Sequence, residues 1–417
     1  MTSQQPFRDL DHVRLCLLAL LTEDPGSSAD PAARLDESQW PLLQAMAHQH
    51  RLEPKLHEAW RHRRERSGIP AGVLMDWEAS FRASAMQALA AQATLIKLGC
   101  LLELAQIPYA ALKGARLAWH AYAHPALRPM RDIDILVPPD RAGAVYRALV
   151  AQGFSPEPGD KTPVDIAIRQ HKHLPGLIDA ATGIRVEVHL RLFEHIAAAK
   201  AGAVLCNPEA LLARREWIKL GRQPIACLPS TETLLHLLIH SAYEHRFDNG
   251  PQILHDIAAL LACEEIDWQR FWILAAEGGW ERGCLLLLRA TEHFLGPQPV
   301  AWSEAGPAAI PAAILNAAAL MMLQDTDLRQ DLALQTEIAA ATRVSWSAGM
   351  RLLSRFRAPR HAIAAHAGIA TDARWIWRHY PAWLFSRLKR TVSGALNRHQ
   401  RAEVARAIAI ENWLTVC

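Results

Sequence analysis

The feature that most constrains this chain is a change in the period of its hydrophobic pattern. Up to about Gln106 and again after Ala197, apolar residues recur every three to four positions; between Ile107 and His195 the period moves toward two, with Pro and Gly between short segments. A pattern written for helices does not settle into strands, nor the reverse. The spacing therefore predicts an α+β chain, with a small mixed-sheet core flanked by helical regions on both sides.

Helical spacing runs from Leu10 to Arg66, carried by Val13, Leu17, Leu18 and Leu21 and then Leu42, Leu43 and Met46, with a polar loop from Glu23 to Ser38. A long helix is expected from about Leu74 to Gln106, interrupted only by Gly99. In the middle region Tyr109–Leu112 and Ile133–Val137 read as strands, and Ala115–Tyr122 and Arg141–Gln152 as helices. Val164–Arg169, His171–Ile178 and Ile184–Leu190 read as added strands, the last two joined by a turn at Ala180–Gly183. Beyond Ala197 one apolar face comprises Leu234, Leu235, Leu238 and Ile239, and another Ile253, Ile257, Leu260 and Leu261. The expected organisation is a helical region over 1–106, the α/β core over 107–195, a helical domain over 196–345 and a basic, Trp-rich segment over 346–417.

Composition narrows the function classes. A formal net charge of +3 over 417 residues does not suit a protein that coats nucleic acid. The seven cysteines are scattered with no Cys-x-x-Cys pair, which fits a reducing compartment. The polar start, Met1–Asp11, lacks the apolar stretch of a secretory signal, and no run approaches the roughly eighteen uncharged apolar residues that a spanning helix needs. The expected location is cytoplasmic.

Asp132 and Asp134 stand one residue apart on a predicted strand, so both side chains share one face while Arg131, Ile133 and Ile135 share the other. At roughly 7 Å between their Cα atoms they can reach one divalent ion. Two acids side by side at the head of an apolar strand call for such a cation. A third acid would complete a two-metal clamp for phosphoryl transfer. Glu187, in Arg185-Val186-Glu187-Val188-His189, is the better candidate; Asp165 competes, with a shorter alternation around it. Upstream, Leu112-Lys113-Gly114-Ala115 marks a strand-to-helix junction where backbone N–H groups and the Lys113 charge can meet an anion.

Taken together, Leu112-Lys113-Gly114, then Leu127 to Val137 (LRPMRDIDILV), then Val186 to Leu192 (VEVHLRL) resemble the nucleotidyltransferase superfamily that includes DNA polymerase beta, and within it a bacterial family of largely uncharacterised nucleotidyltransferases. More weakly, His240 and His255-Asp256-Ile257 resemble polar positions of the same family. The resemblance implies a Mg²⁺- or Mn²⁺-dependent enzyme that moves a nucleoside monophosphate from an NTP to an acceptor and releases pyrophosphate. Metal binding would fall on Asp132, Asp134 and Glu187, with Glu187 also activating the acceptor hydroxyl, and contact with the triphosphate on Gly114. The usual Gly-Ser of the first turn is replaced here by Lys113-Gly114-Ala115, so Lys113 or backbone amides stand in for the missing hydroxyl. Of the arginines near the acid pair, Arg128 in the preceding loop is the phosphate candidate, or else a loop arginine packed on the sheet edge.

Other readings stand beside these. His171, His173 and His189 fall in neighbouring predicted strands but lack the spacing of a zinc site; His189 reads better as a residue orienting Glu187. His236 and His240 read as a polar helix face. Over 351–406 the basic residues, among them Arg355, Arg357, Arg360, Arg374, Arg378, Arg387, Lys389 and Arg390, are opposed by Asp372 and Glu403 alone and interleave with Trp375, Trp377, Trp383 and Phe385. That segment suits either a helix packed by its tryptophans or a peripheral contact with a membrane or an acidic partner. The expected partners are an NTP and a small-molecule, glycan, peptide or protein acceptor; nucleic acid ranks last, for want of a basic and aromatic surface in the core. The competing class is a catalytically silent binding module that keeps the fold.

Overall fold

The computed structural model describes residues 5–22, 31–62, 68–160, 162–194, 204–302, 310–329, 332–336, 360–369, 373–386 and 397–415. Their contacts fall into two units, Leu10–Ile310 and a second made of Pro311–Cys417 with Met1–Asp9.

The larger unit begins with helices α1 (Gln5–Leu20, shared with the second unit), α2 (Trp40–Gln49) and α3 (Glu53–Trp60), followed by α4 (Ala71–Leu104). The α/β part then runs β1 (Ala110–Ala111), α5 (Lys113–His120), β2 (Asp132–Leu136), α6 (Ala142–Ala151), β3 (Phe154–Pro156), α7 (Val164–Gln170), β4 (Leu177–Asp179) and β5 (Arg185–His189). A short helix α8 (Pro208–Ala213) leads into a hairpin of β6 (Glu216–Leu220) and β7 (Gln223–Cys227), and α9 (Ser230–Ile239), α10 (Gln252–Cys263), α11 (Trp268–Gly278) and α12 (Glu281–Leu295) close the unit.

The strands form one mixed sheet in the order β3-β4-β5-β2-β1-β7-β6. β2 pairs with β5, and β1 with β7, in parallel; the other neighbours are antiparallel. The fold is thus α+β with a mixed-sheet core and helical flanks. Three local expectations fail, the first being the strand His171–Ile178, of which only Leu177 and Ile178 fall in a strand, β4, while His173 makes an isolated bridge to His189. Val164–Gln170 is helical: Pro163 starts it, and Val164 and Ile168 pack on the core while Asp165 and Arg169 pair outside it at 2.7 Å. The hairpin β6–β7 lies where helix was expected, and β7 completes the sheet beside β1.

The core lies between α4 and one face of the sheet. Ala91, Leu95, Leu98 and Leu102 of α4 recur at helical spacing and share a buried cluster with Ile133 and Ile135 of β2, Val186 and Val188 of β5, and Ile225 of β7. Alternation then sends Asp132 and Asp134, and Arg185, Glu187 and His189, to the opposite face. Gly99 sits where α4 comes nearest the sheet: a Cβ there would stand 2.8 Å from Tyr109 Oη and 2.9 Å from Ile225 Cδ1. Among the described residues one helix, α4, is long and apolar enough to cross a membrane, with an 18-residue window of mean hydropathy 1.4, although Arg82 and Lys97 keep its uncharged run short. Its buried stripe is committed to the sheet core.

In the second unit α13 (Ala312–Met322) packs against α15 (Arg398–Thr415), while Ile363 and Ala364 of α14 (Arg360–Ala367) form a small core with Ile376 and Trp383. Trp383 is buried as a packing residue should be; Trp375, Trp377 and Phe385 are exposed, with the Arg378 guanidinium 4.5 Å from the Trp375 ring. Arg355, Arg357, Asp372, Arg387, Lys389 and Arg390 lie outside the described residues.

Candidate active site

The parallel register of β2 and β5 sets Asp132 beside Arg185, Asp134 beside Glu187 and Leu136 beside His189. Three acids from two strands meet on the polar face of the sheet as a result. Nε2 of His189 lies 2.7 Å from Asp134 Oδ1 and 3.4 Å from Glu187 Oε2. Arg185 reaches Asp132 at 3.1 Å, contacts Glu187 and bonds Glu157 at 2.8 Å. Lys113 Nζ stands 3.4 Å from Asp134 Oδ1.

The first turn is tied to this cluster through the backbone: the Leu112 N–H donates to the Asp134 carbonyl at 3.0 Å. Lys113 then takes φ +43°, a left-handed conformation that costs a non-glycine residue free energy and tends to occur at functional turns. Gly114 follows, packed so closely that a Cβ would stand 2.0 Å from Arg128 Nη1 and 2.8 Å from Met130 Sδ. The loop carrying those two residues is fastened to α4 by Ser84 Oγ on the Ala126 carbonyl at 2.7 Å and Gln87 Nε2 on the Met130 carbonyl at 2.9 Å.

Arg128 is anchored through two of its three guanidinium nitrogens. Its Nε and Nη2 donate to the two carboxylate oxygens of Asp256 on α10 at 2.8 Å each, and Tyr122 Oη donates to the same Asp256 at 2.6 Å. Only Nη1 faces the turn, against Gly114.

Charge is distributed unevenly over the acids. Burial, reinforced by the Asp134 and Glu187 charges, pushes the Asp132 carboxyl up to about 6. Burial acts the same way on Asp134, but Lys113 and His189 outweigh it and hold that carboxyl well below its usual range. Glu187, likewise opposed by burial, is drawn down to about 2, chiefly by its hydrogen bond from His189. Burial would depress the His189 imidazole, yet its bonds to Asp134 and Glu187 raise it. Lys113, Arg185 and His189 thus balance a concentration of negative charge that a divalent ion could also satisfy.

Donor atoms of Asp134, Glu187 and His189 all lie within 4.8 Å of one another, and Nδ1 of His189 is buried without a partner. Two carboxylates with an imidazole fit Mn²⁺ as well as Mg²⁺, the carboxylates suiting either ion and the imidazole the transition metal. Asp132, expected as a ligand, is turned toward Arg185 at the edge of this group. Asp165, the competing third acid, is remote on α7. Of the three histidines considered for zinc, His173 lies with its ring tilted against that of His189 at 5.6 Å between centroids, while His171 turns to Glu194 at 3.3 Å.

α9 supplies more than a polar face. Every residue from Ser230 to Ile239 is buried, and a π-helical turn, His240–Glu244, continues it. Burial, and then the charge of Lys113, hold the imidazoles of His236 and His240 well below their ordinary value, hence neutral. Glu244 accepts from Lys172 at 2.7 Å and pairs with His240 at 2.9 Å. Arg185 could have been found from its place two residues before Glu187 on the same strand face. Asp256 stood out in the sequence only as a polar position of His255-Asp256-Ile257; its pairing with Arg128 carried no local signal, since the two lie 128 residues apart.

No curated protein matches the chain. A family described as uncharacterised nucleotidyltransferases matches residues 36–296, a span that holds the sheet, the acid cluster and α9 to α12, and with well over half of its length so matched the chain belongs to that family.

Proposed function

We propose that this protein is a divalent-metal-dependent enzyme that transfers a nucleoside monophosphate from an NTP to a hydroxyl-bearing acceptor with release of pyrophosphate. The observation that carries the reading is the parallel register placing Asp134 beside Glu187, with His189 on both and the Lys113-Gly114 turn tied to the same strand. Asp134 and Glu187, with Asp132 rotating off Arg185, would hold Mg²⁺ or Mn²⁺. When bound, such an ion neutralises the phosphate oxygens and the charge that develops on the leaving pyrophosphate.

The rest falls to the chain. The Gly114 turn admits a phosphate close to the backbone, Lys113 supplies charge to the triphosphate, and Arg128 Nη1 is positioned to add a hydrogen bond. The acceptor oxygen forms its bond to the α-phosphorus as the bond to the β-phosphate oxygen breaks, and Glu187 takes the hydroxyl proton. His189 orients both acids from beneath.

The test is pyrophosphate release from each NTP with Mg²⁺ or Mn²⁺ and a cell extract as acceptor source. The expected outcome is metal-dependent release that falls at least about 10²-fold in Asp134→Asn or Glu187→Gln, beyond what loss of a supporting partner costs. Activity surviving both substitutions overturns the assignment of these acids. Metal-dependent NTP binding with no turnover across a wide acceptor screen would overturn the enzyme in favour of a binding module.

A further inference from the structure

Outside the acid cluster, at the end of α5 opposite Lys113, three different metal-ligating side chains converge. His120 is the last residue of α5, Cys263 the last of α10, and Glu264 the residue after it. A ring nitrogen of His120, Cys263 Sγ and a Glu264 carboxylate oxygen all lie within 4.8 Å of one another, and His120 Nε2 is 2.7 Å from Glu264 Oε1. We propose that His120, Cys263 and Glu264 form a second cation site, for a thiophilic divalent ion such as Zn²⁺, which pins the C-terminal end of α5 to that of α10.

Donor type selects the ion. A thiolate with an imidazole and a carboxylate suits Zn²⁺ and is a poor site for Mg²⁺, which takes oxygen donors. Three protein ligands with His120 and Cys263 at the surface leave the fourth tetrahedral position to water. Glu264 is already oriented as a ligand carboxylate usually is: Arg116 Nη2 donates to Oε1 at 2.8 Å and Ser230 Oγ donates to Oε2. The buried Arg116 does not repel the complex, because an ionised Cys263 and Glu264 together cancel the two charges of the ion, leaving a neutral group beside the guanidinium. The chain leaves the helix at Glu264 with φ −135° and ψ 143°, which lets two consecutive side chains serve one ion. α5 spans only about 12 Å at 1.5 Å per residue, so an ion at His120 would steady the helix that begins with Lys113 and Gly114 without entering the acid cluster.

The test is a titration of the full-length, metal-free protein with Co²⁺, a spectroscopic stand-in for Zn²⁺. Expected is a saturable thiolate-to-cobalt charge-transfer band that is displaced by Zn²⁺, vanishes in Cys263→Ser and persists both in Cys206→Ser and in Asp134→Asn, which removes a ligand of the acid cluster instead. His120→Gln should weaken Zn²⁺ binding at least tenfold, and Ser230→Ala, through the orientation of Glu264, about 10–100-fold. Melting of each variant without metal checks that the fold is intact; should one not fold, the others still decide the matter. Absence of the band in the wild-type protein, its survival in Cys263→Ser, or unchanged Zn²⁺ affinity in His120→Gln overturns the site.

Discussion

Gly114 and Arg128 show how residue-scale packing restricts the first turn. Arg128 is a long side chain that would normally swing away from an intruding methyl group, but two of its nitrogens are fixed on Asp256. A Cβ at position 114, 2.0 Å from the remaining nitrogen, therefore meets a held neighbour. Gly114→Ala is expected to cost about 1–3 kcal/mol of stability, the usual range for overpacking, and to weaken NTP binding. Thermal unfolding and a nucleotide-binding isotherm check the two effects, and an unchanged melting temperature would show that Arg128 yields freely. The Arg128–Asp256 pair supplies a second prediction. With side-chain exposures of 10% and 5%, removing either partner strands a buried charge, so Arg128→Ala or Asp256→Ala should each cost about 3–5 kcal/mol. Replacing both with alanine should cost well under the sum of the two, as a double-mutant cycle would record. At this scale the sequence displayed the glycine and the acids, because alternation around Asp132, Asp134 and Glu187 is local. The commitment of Arg128 to Asp256 was not legible, because it depends on α10 folding back across the turn.

Among the elements, α4 and the β4–β5 turn are joined by a charged latch. Asp179, at the end of β4, accepts from Lys97 at 2.8 Å and from Thr94 at 3.0 Å, while Thr94 also meets Thr182 at 2.6 Å. Burial favours a protonated Asp179, but the Lys97 hydrogen bond, the Ala181 N–H and Thr94 together lower its carboxyl below the usual 3.8. A carboxyl lowered on folding contributes stability that is complete above its unfolded value and lost as pH falls through the folded one. Asp179→Ala should therefore destabilise the protein by about 1–3 kcal/mol at neutral pH, since Lys97 remains partly solvated. The gap between variant and wild type should narrow below the ordinary Asp value of 3.8, and melting curves across that range check it. A gap independent of pH would mean that the carboxylate charge is not what holds α4. The elements themselves were unevenly legible. β2 and β5 alternate cleanly and were found, as was the long helix α4. α7 was misread because Val164, Ile166 and Ile168 fall two apart while the helix is set by Pro163 and the 164/168 spacing. The hairpin β6–β7 was missed because its two strands are only five residues each, β7 carries Pro224, and both sit between helices, so their meaning emerges only when β7 docks beside β1.

On the scale of the whole molecule, the sheet and everything that supports the acid cluster belong to one unit. The buried cluster around the sheet draws its residues from Ala91 to Cys227, the Arg128–Asp256 tie closes within the same unit, and the family match ends at 296. The second unit has its own contacts, α13 against α15 and the small core around Ile376 and Trp383. A fragment of Leu10–Ile310 is therefore expected to fold alone. The cut within α1 spares Val13, Leu17 and Leu20, which are fully buried. A chain of this length buries enough surface to be stable without the remainder. Expected is a single cooperative melting transition and NTP affinity equal to that of the full-length protein, measured with the same metal. If the second unit contributed a wall of the nucleotide site, the fragment would fold yet bind NTP more weakly; if it completed the core, the fragment would aggregate or lose its cooperative transition. Only equal affinity in a folded fragment places nucleotide binding wholly within the sheet-bearing unit, leaving the exposed tryptophans and arginines of Pro311–Cys417 to some other contact.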